Sequence, residues 1–436
     1  MFQKPTLHAA PVIPGAIAVP TPARPALQSE RLVILDILRG IALLGMLMVH
    51  VNYYEATPLG SEPGAAAAFV ERTLGLFFEE RFYGIFGMLF GVGFALQLER
   101  ADARNERFAA RYLRRLAALA VFGLVAEGVF GFNVLLGYAI WGVPLLVVRR
   151  WSVRSLVVLL VLCTAARPIY SVARLAAAST QPGGAARFIA AQRASADTYR
   201  AAYDSLRVVE RSGDWSAVVR ARIAHIPKFH SRFGFLPNMS FVLFLLGLLA
   251  YRLGYLTRPR EHGPAIVLLA TFGVAATLVG TFVLPLGGPI QPPSPTDPPV
   301  WSAVVRFARF GFQLIRPQWL AFTYIGMVLL LVANSARWSH RLSWFAPAGR
   351  MALTNYLTQV VLLELCFTPH GLGLAVPAAL VFPAAIAIFV AQVRFSSWWL
   401  SRFRFGPMEW FWRSVTNWNV EPVRREEERP AAALVA

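Results

Sequence analysis

The stretch ILDILRGIALLGMLMVHVNYY, residues 34–54, decides how the rest of the chain is read. It is apolar and long enough to cross a bilayer, which takes about 20 residues of helix, yet it carries Asp36, Arg39 and His50. A charged side chain near a span centre costs about 2.5 to 3.5 kcal/mol on insertion scales, so such groups usually face a bundle interior or a water-filled cavity. Arg39 and His50 are eleven positions apart. At about 100° and 1.5 Å per residue, both project from one helix face, roughly 16 Å apart along the axis. A guanidinium and an imidazole on one inward stripe suggest a polar channel from the inner side of the membrane to a proton-handling group. The alternative is an Asp36–Arg39 pair at the lipid interface and a His50 that merely hydrogen-bonds a neighbouring span.

Working outward, the same apolar pattern recurs at 82–98, 112–130, 132–149, 153–173, 237–255, 264–286, 318–335, 346–368 and 373–393, separated by arginine-rich connectors. The 436 residues are 56% hydrophobic and 15% charged, which excludes an ordinary soluble globule. The expected fold is all-α, a polytopic membrane bundle of about ten spanning helices with one long extracytoplasmic helical loop. A net charge of +19 would point to nucleic acid in a soluble protein. Here the arginines sit beside span ends (Arg100, Arg104, Arg107, Arg111, Arg114, Arg115; Arg149, Arg150, Arg154; Arg252, Arg258, Arg260; Arg337, Arg341), so they mark cytoplasmic connectors instead. Both termini are then cytoplasmic. The connector with Glu55, Glu62, Glu71, Glu79 and Glu80 suits the outer side. Two cysteines, Cys163 and Cys366, lie in apolar runs and make neither a disulfide framework nor a thiolate metal site.

The expected organisation is a disordered tail at 1–29, a membrane half at 30–173, an outer polar loop at 174–236, a second membrane half at 237–420 and a tail at 421–436. The loop at 174–236 reads either as a lid or substrate platform or as a solvated amphipathic segment on the membrane surface. Its His225 and His230 are five apart, a poor spacing for two ligands on one helix face, and no metal is assigned. Gly84, Gly87, Gly91 and Gly93 read as small residues that let spans pack closely. The segment QPPSPTDPP at 291–299 is a proline-rich connector, and 394–418 interleaves aromatics with arginines as an interfacial helix does. Glu127, Asn133, Tyr138, Glu364 and the run Arg350, Thr354, Asn355, Tyr356, Gln359 are further polar groups within apolar surroundings, with His370 just beyond. Their number argues for a hydrated interior.

Two sets of residues carry a family resemblance. RLVILDILRGIALLGMLMVHV with FYGIFGMLFGVGFAL, and then GRMALTNYLTQ (349–359), HGLGL (370–374) and RFRFGPMEWFWRSVT (402–416), resemble the YeiB-like bacterial membrane proteins over about residues 31–418. The amino-terminal pattern is also similar to transmembrane acyltransferases of the OafA type and to heparan-alpha-glucosaminide acetyltransferase. The OafA-type signature is an arginine, ten residues and a histidine at the far end of the first span; Arg39 and His50 match it. The resemblance thus implies a catalytic role for His50. Many YeiB-like sequences have Asn at that position, and their usual Gly-Asp before the fourth span is here Phe132-Asn133.

What this implies is a bacterial plasma-membrane protein that moves an acyl group, acetyl above all, from a cytoplasmic acyl-CoA donor to a hydroxyl or amine of a small-molecule or glycan acceptor on the outer side. His50 acts as general base or acyl carrier. Asp36 holds Arg39, which with the cytoplasmic arginines attracts the donor's phosphates, while Arg350, Asn355 and Gln359 line the tunnel or polarise the thioester. The rival reading is a transporter or exporter of a small metabolite, using the same stripe as a path; a third is a scaffold whose outer loop binds a partner. Lipid is the expected surroundings, a homodimer contact would suit the same apolar surface, and nucleic acid is not an expected partner.

Overall fold

The computed structural model describes residues 26–54, 64–131, 134–231, 238–279, 282 and 318–424. The connector at 291–299, Glu55, Glu62, Phe132 and Asn133, and most of both tails lie outside the described residues. Regular structure among the described residues is helical, without a strand; an isolated antiparallel bridge joins Phe403 to Arg424.

The helices are α1 (Ala26–Tyr53), α2 (Ala65–Phe77), α3 (Arg81–Ala103), α4 (Phe108–Phe130), α5 (Val134–Gly142), α6 (Leu145–Val148), α7 (Val153–Ser179), α8 (Gly184–Glu210), α9 (Trp215–Ser231), α10 (Met239–Arg252), α11 (Gly263–Leu278), α12 (Gln318–Asn334), α13 (Ala336–Leu342), α14 (Ala346–Arg350), α15 (Ala352–Phe367), α16 (Val381–Arg402) and α17 (Pro407–Asn417). By length and composition, Val33–Tyr53, Ala65–Ala103 and Ala378–Arg402 can cross a bilayer, and α7 makes a fourth if its halves, bent by 42° at Pro168, count as one span. The ten apolar runs therefore do not all become full-length spans. Charges interrupt α4 (Arg111, Arg114, Arg115 and Glu127), Pro144 separates α5 from α6, and Met351 breaks the run 346–368 into α14 and α15.

Exposed apolar side chains nevertheless form faces that suit lipid: Val121, Leu124 and Val125 on α4, Val158, Val161 and Leu162 on α7, and Leu268 and Phe272 on α11. Helix α1 packs against α2, α3, α14, α15 and α16. Its Ile37, Leu38, Leu43, Leu47 and Val51 are buried against residues of α3, α15 and α16, among them Ile85, Val360 and Phe389. Two backbone crossings fix the bundle. A Cβ on Gly91 of α3 would lie 2.1 Å from the Phe244 carbonyl oxygen of α10, and one on Gly247 1.9 Å from that of Met88. Only hydrogen at those positions allows the approach, so the small-residue reading holds at Gly91. Gly40 of α1 meets the backbone of Phe345 and Gly349 that of Asp36 in the same way.

Candidate functional site

At its arginine-rich end, α1 carries the pair read from the sequence: Arg39 Nη1 donates to Asp36 Oδ1 at 2.8 Å, three residues apart. Arg39 also lines a cavity of about 160 Å³ together with Gln97, Tyr112, Arg115, Tyr138, Tyr356 and Trp412, the remaining wall being mostly apolar. Gln97, Tyr112, Arg115 and Trp412 line in addition a cleft of about 320 Å³ bearing Arg100, Arg104, Arg111 and Arg413 against Glu106 and Glu421. Cation therefore exceeds anion there. Glu106 takes up Arg111 at 2.5 Å, and Glu421 lies 3.6 Å from Arg413.

α17 closes one side of this cleft. Glu409, in its first turn, accepts the backbone N–H of Leu353 at 2.6 Å and of Thr354 at 3.1 Å, along with the Thr354 hydroxyl at 2.6 Å. A carboxylate on the orphan N–H groups of a helix start is the favourable sign for the helix dipole. Burial pushes the Glu409 pKa up, against the hydrogen bonds from Thr354. Docked in this way, α17 lays Trp412 on the Arg115 guanidinium, 3.8 Å from the ring centroid, and the indole N–H donates to the Arg115 carbonyl at 2.9 Å.

Toward the opposite end, His50 lines a second cavity of about 240 Å³ with Tyr53, Glu127, Tyr203, Glu210, Arg222 and His225. Val134 belongs to both cavities. The His50 ring stands edge-on to Tyr356, with centroids 6.2 Å apart at 64°. The imidazole thus lies on one side of a shared wall and the phenol on the other.

Helices α8 and α9 roof the second cavity. Arg222, 3% exposed, donates through Nε to Glu210 at 2.8 Å, through Nη1 to Glu364 at 2.7 Å and to the Val129 carbonyl at 2.6 Å. Tyr53 donates to Glu210 at 2.6 Å, Tyr54 to Glu364 at 2.9 Å, and His370 Nε2 lies 2.8 Å from Glu364. His230 Nε2 is 2.9 Å from Glu127. Burial opposes the Arg222 charge, but the two carboxylates outweigh it and hold its pKa above the ordinary value. Exposed Asp214 starts α9 by accepting the N–H groups of Ser216 and Ala217, which draws its pKa down. Of the two readings of residues 174–236, the solvated segment fits the outer face of α8; α9 is tied into the bundle.

Among the six residues singled out from the sequence, Asp36, Arg39 and His50 border the cavities or pair directly with a group that does. Arg350 is exposed at the end of α14. Asn355 and Gln359 are buried on the side of α15 that faces α16: Asn355 Nδ2 donates to Ser396 Oγ at 2.9 Å and to the Ala348 carbonyl at 3.0 Å, and Gln359 Nε2 to Gln392 at 2.8 Å. Neither lines the cavities described above. Tyr356, Arg115 and Trp412 do: the sequence reading includes Arg115 among the phosphate-attracting arginines and Tyr356 in the polar run 350–359 without giving either a place at a cavity, and it gives Trp412 no role at the site.

Residues 250–419 match the family model described as protein of unknown function (DUF418). That region is therefore similar to the YeiB-like proteins. Residues 31–192 match the model described as heparan-alpha-glucosaminide N-acetyltransferase, catalytic, so the amino-terminal region is acyltransferase-like. The chain is 29% identical to the uncharacterised YxaH protein of Bacillus subtilis (strain 168), over 92% of this chain and 98% of that one. It is 28% identical to an uncharacterised 39.9 kDa protein from the amylase 3' region of Bacillus acidopullulyticus, over 93% and 99%. With the uncharacterised YeiB of Escherichia coli (strain K12) it shares 41% identity over 71 residues, 16% of this chain and 18% of that one. No solved structure matches the chain. The acyltransferase-like region supplies Arg39, His50 and Arg115, and the DUF418 region supplies Tyr356 and Trp412.

Proposed function

We propose that this protein is a membrane-embedded acyltransferase that uses an acyl-CoA thioester from the arginine-rich side and a hydroxyl or amine acceptor admitted beneath the α8–α9 roof. The observation that carries the reading is the shared wall. The inner cavity, which shares Gln97, Tyr112, Arg115 and Trp412 with the arginine cleft, is lined by Tyr356, and the cavity beneath the roof is lined by His50, whose ring stands edge-on to that of Tyr356. The surplus of guanidinium in the cleft suits the donor's phosphates, and the mostly apolar inner cavity suits the arm that carries the thioester. His50 then takes the proton of the acceptor as it attacks the thioester carbon and returns it to the departing thiolate. Asp36 keeps Arg39 oriented at the cavity mouth through its 2.8 Å ion pair.

Purified protein given labelled acetyl-CoA should release free coenzyme A and transfer or hydrolyse the label. His50→Ala should lower that turnover by about 10²- to 10⁴-fold, the usual worth of a general base, while still binding the donor. A folded His50→Ala protein with full turnover removes His50 from the chemistry. Passage of a metabolite across liposomes without any acyl turnover would instead favour the transporter.

A further inference from the structure

We infer that Tyr356 is a catalytic residue of this transfer, its hydroxyl donating a hydrogen bond to the thioester carbonyl oxygen as negative charge develops there. The inference rests on the acyl-transfer reading and adds to it the group that meets the oxyanion. Tyr356 is 5% exposed, lines the inner cavity, and its hydroxyl has no hydrogen-bond partner among the described residues. That sets it apart from the other tyrosines of the same cavity. Tyr112 donates to the Gly142 carbonyl at 3.2 Å, and Tyr138 to the Tyr83 carbonyl at 3.0 Å. A buried phenol ordinarily finds a partner, because an unmade hydrogen bond in a dry interior is expensive. One left open against a cavity is held ready for a group that enters it.

The neighbouring imidazole says which group. With the His50 ring edge-on at 6.2 Å, an acyl carbon at the shared wall would have a proton acceptor on the acceptor's side and a hydroxyl donor on the donor's side. In the step, the acceptor's oxygen or nitrogen forms a bond to the thioester carbon and its proton passes to His50. The carbonyl oxygen becomes an oxyanion held by the Tyr356 O–H, which keeps its proton throughout. Collapse of the tetrahedral intermediate breaks the carbon–sulfur bond, and the leaving thiolate takes the proton back from the imidazolium. A preorganised donor of this kind acts only in the transition state, so its loss falls on kcat. Asn355 and Gln359, the other amides of α15 considered for this task, are turned to α16.

The test is release of coenzyme A from labelled acetyl-CoA by the purified full-length protein, its Tyr356→Phe and His50→Ala variants, and Tyr324→Phe as a control. Tyr324 is a half-buried tyrosine whose hydroxyl bonds the Phe77 carbonyl and which lines neither cavity. Tyr356→Phe keeps the ring against His50 and removes only the donor. Its kcat should fall by about 10²- to 10³-fold with KM for acetyl-CoA and the melting midpoint unchanged. The shape of its pH profile should be retained, since a residue that merely positioned His50 would move the profile. A Tyr356→Phe kcat within about threefold of wild type, an effect too small for an oxyanion donor, overturns the inference, as does a loss accompanied by a displaced pH profile. If wild type turns over and only His50→Ala is dead, the transfer reading survives without Tyr356. If wild type itself leaves acetyl-CoA intact, both fall together.

Discussion

The two ends of this bundle handle buried charge in opposite ways. At the roof, the Arg222 guanidinium is shared between Glu210 and Glu364, and tyrosines and a histidine take up the remaining carboxylate capacity. At the other end, Arg39, Arg100, Arg104, Arg111, Arg115 and Arg413 border connected cavities in which Glu106 and Glu421 are the lining carboxylates. A compensated cation holds helices together; a surplus of cations would suit an anion, as proposed above for the acyl-CoA donor. On that proposal the same residue type does structural work in one place and binding work in the other, and only its partners distinguish them.

The sharpest way to break this contrast is at the roof. Arg222→Ala leaves two carboxylates facing each other in a site where Glu364 is 1% exposed, and breaking such a buried pair costs about 3 to 5 kcal/mol. Denaturation of the detergent-solubilised protein should register that loss, and a change below about 1 kcal/mol, the range of a surface pair, would mean that the network is not the fastening described. At the cleft the same kind of deletion should act on binding instead. Arg100→Ala and Arg104→Ala should each weaken acyl-CoA affinity by about tenfold, the worth of one charge-assisted contact, with stability nearly unchanged. Added salt should weaken donor binding by wild type more than by the double variant, because the lost contacts are the screened ones. Equilibrium binding of labelled acetyl-CoA at two ionic strengths reads both effects.

The smallest expected effect sharpens the picture at His225. Burial and the nearby Lys228 hold its pKa below the ordinary value. Between that lowered value and about 6.5, the unfolded chain binds a proton that the folded roof refuses. Stability therefore falls as pH drops through that window and is fully present above it. The protection factors of the α8 and α9 amides, with the intrinsic exchange rate divided out, should fall from about pH 7.5 to about pH 5.5, and His225→Gln should flatten the slope; an unchanged slope assigns it to other groups.

How much of this was legible follows the same division. The helical architecture and the Asp36–Arg39 pair are local: apolar length, a 3.6-residue period and a spacing of three positions express them within one segment. Arg222 is not local. It is one arginine among many in a polar stretch, and its importance arises from Glu364, 142 positions away in the chain. On α15 the difficulty was angular. Polarity drew attention to Asn355 and Gln359, yet residues that hydrogen-bond across a helix pair satisfy one another. Tyr356, about 100° around the helix from Asn355, is the one that reaches the cavity. Among the described residues three or four of the ten apolar runs give helices of full spanning length, because apolar runs do not reveal where a proline, a break or a charged turn shortens the helix within them.

The seat of Trp412 on Arg115 also sets an order of events during synthesis. Domains are made amino-terminus first, so every arginine of α3 and α4 that borders the cleft is inserted while the wall provided by α17 has yet to leave the ribosome. Until Glu409 reaches the start of α15, those guanidinium groups lack the wall that Trp412 and Arg413 provide, and the nascent chain carries an unfinished, strongly cationic face.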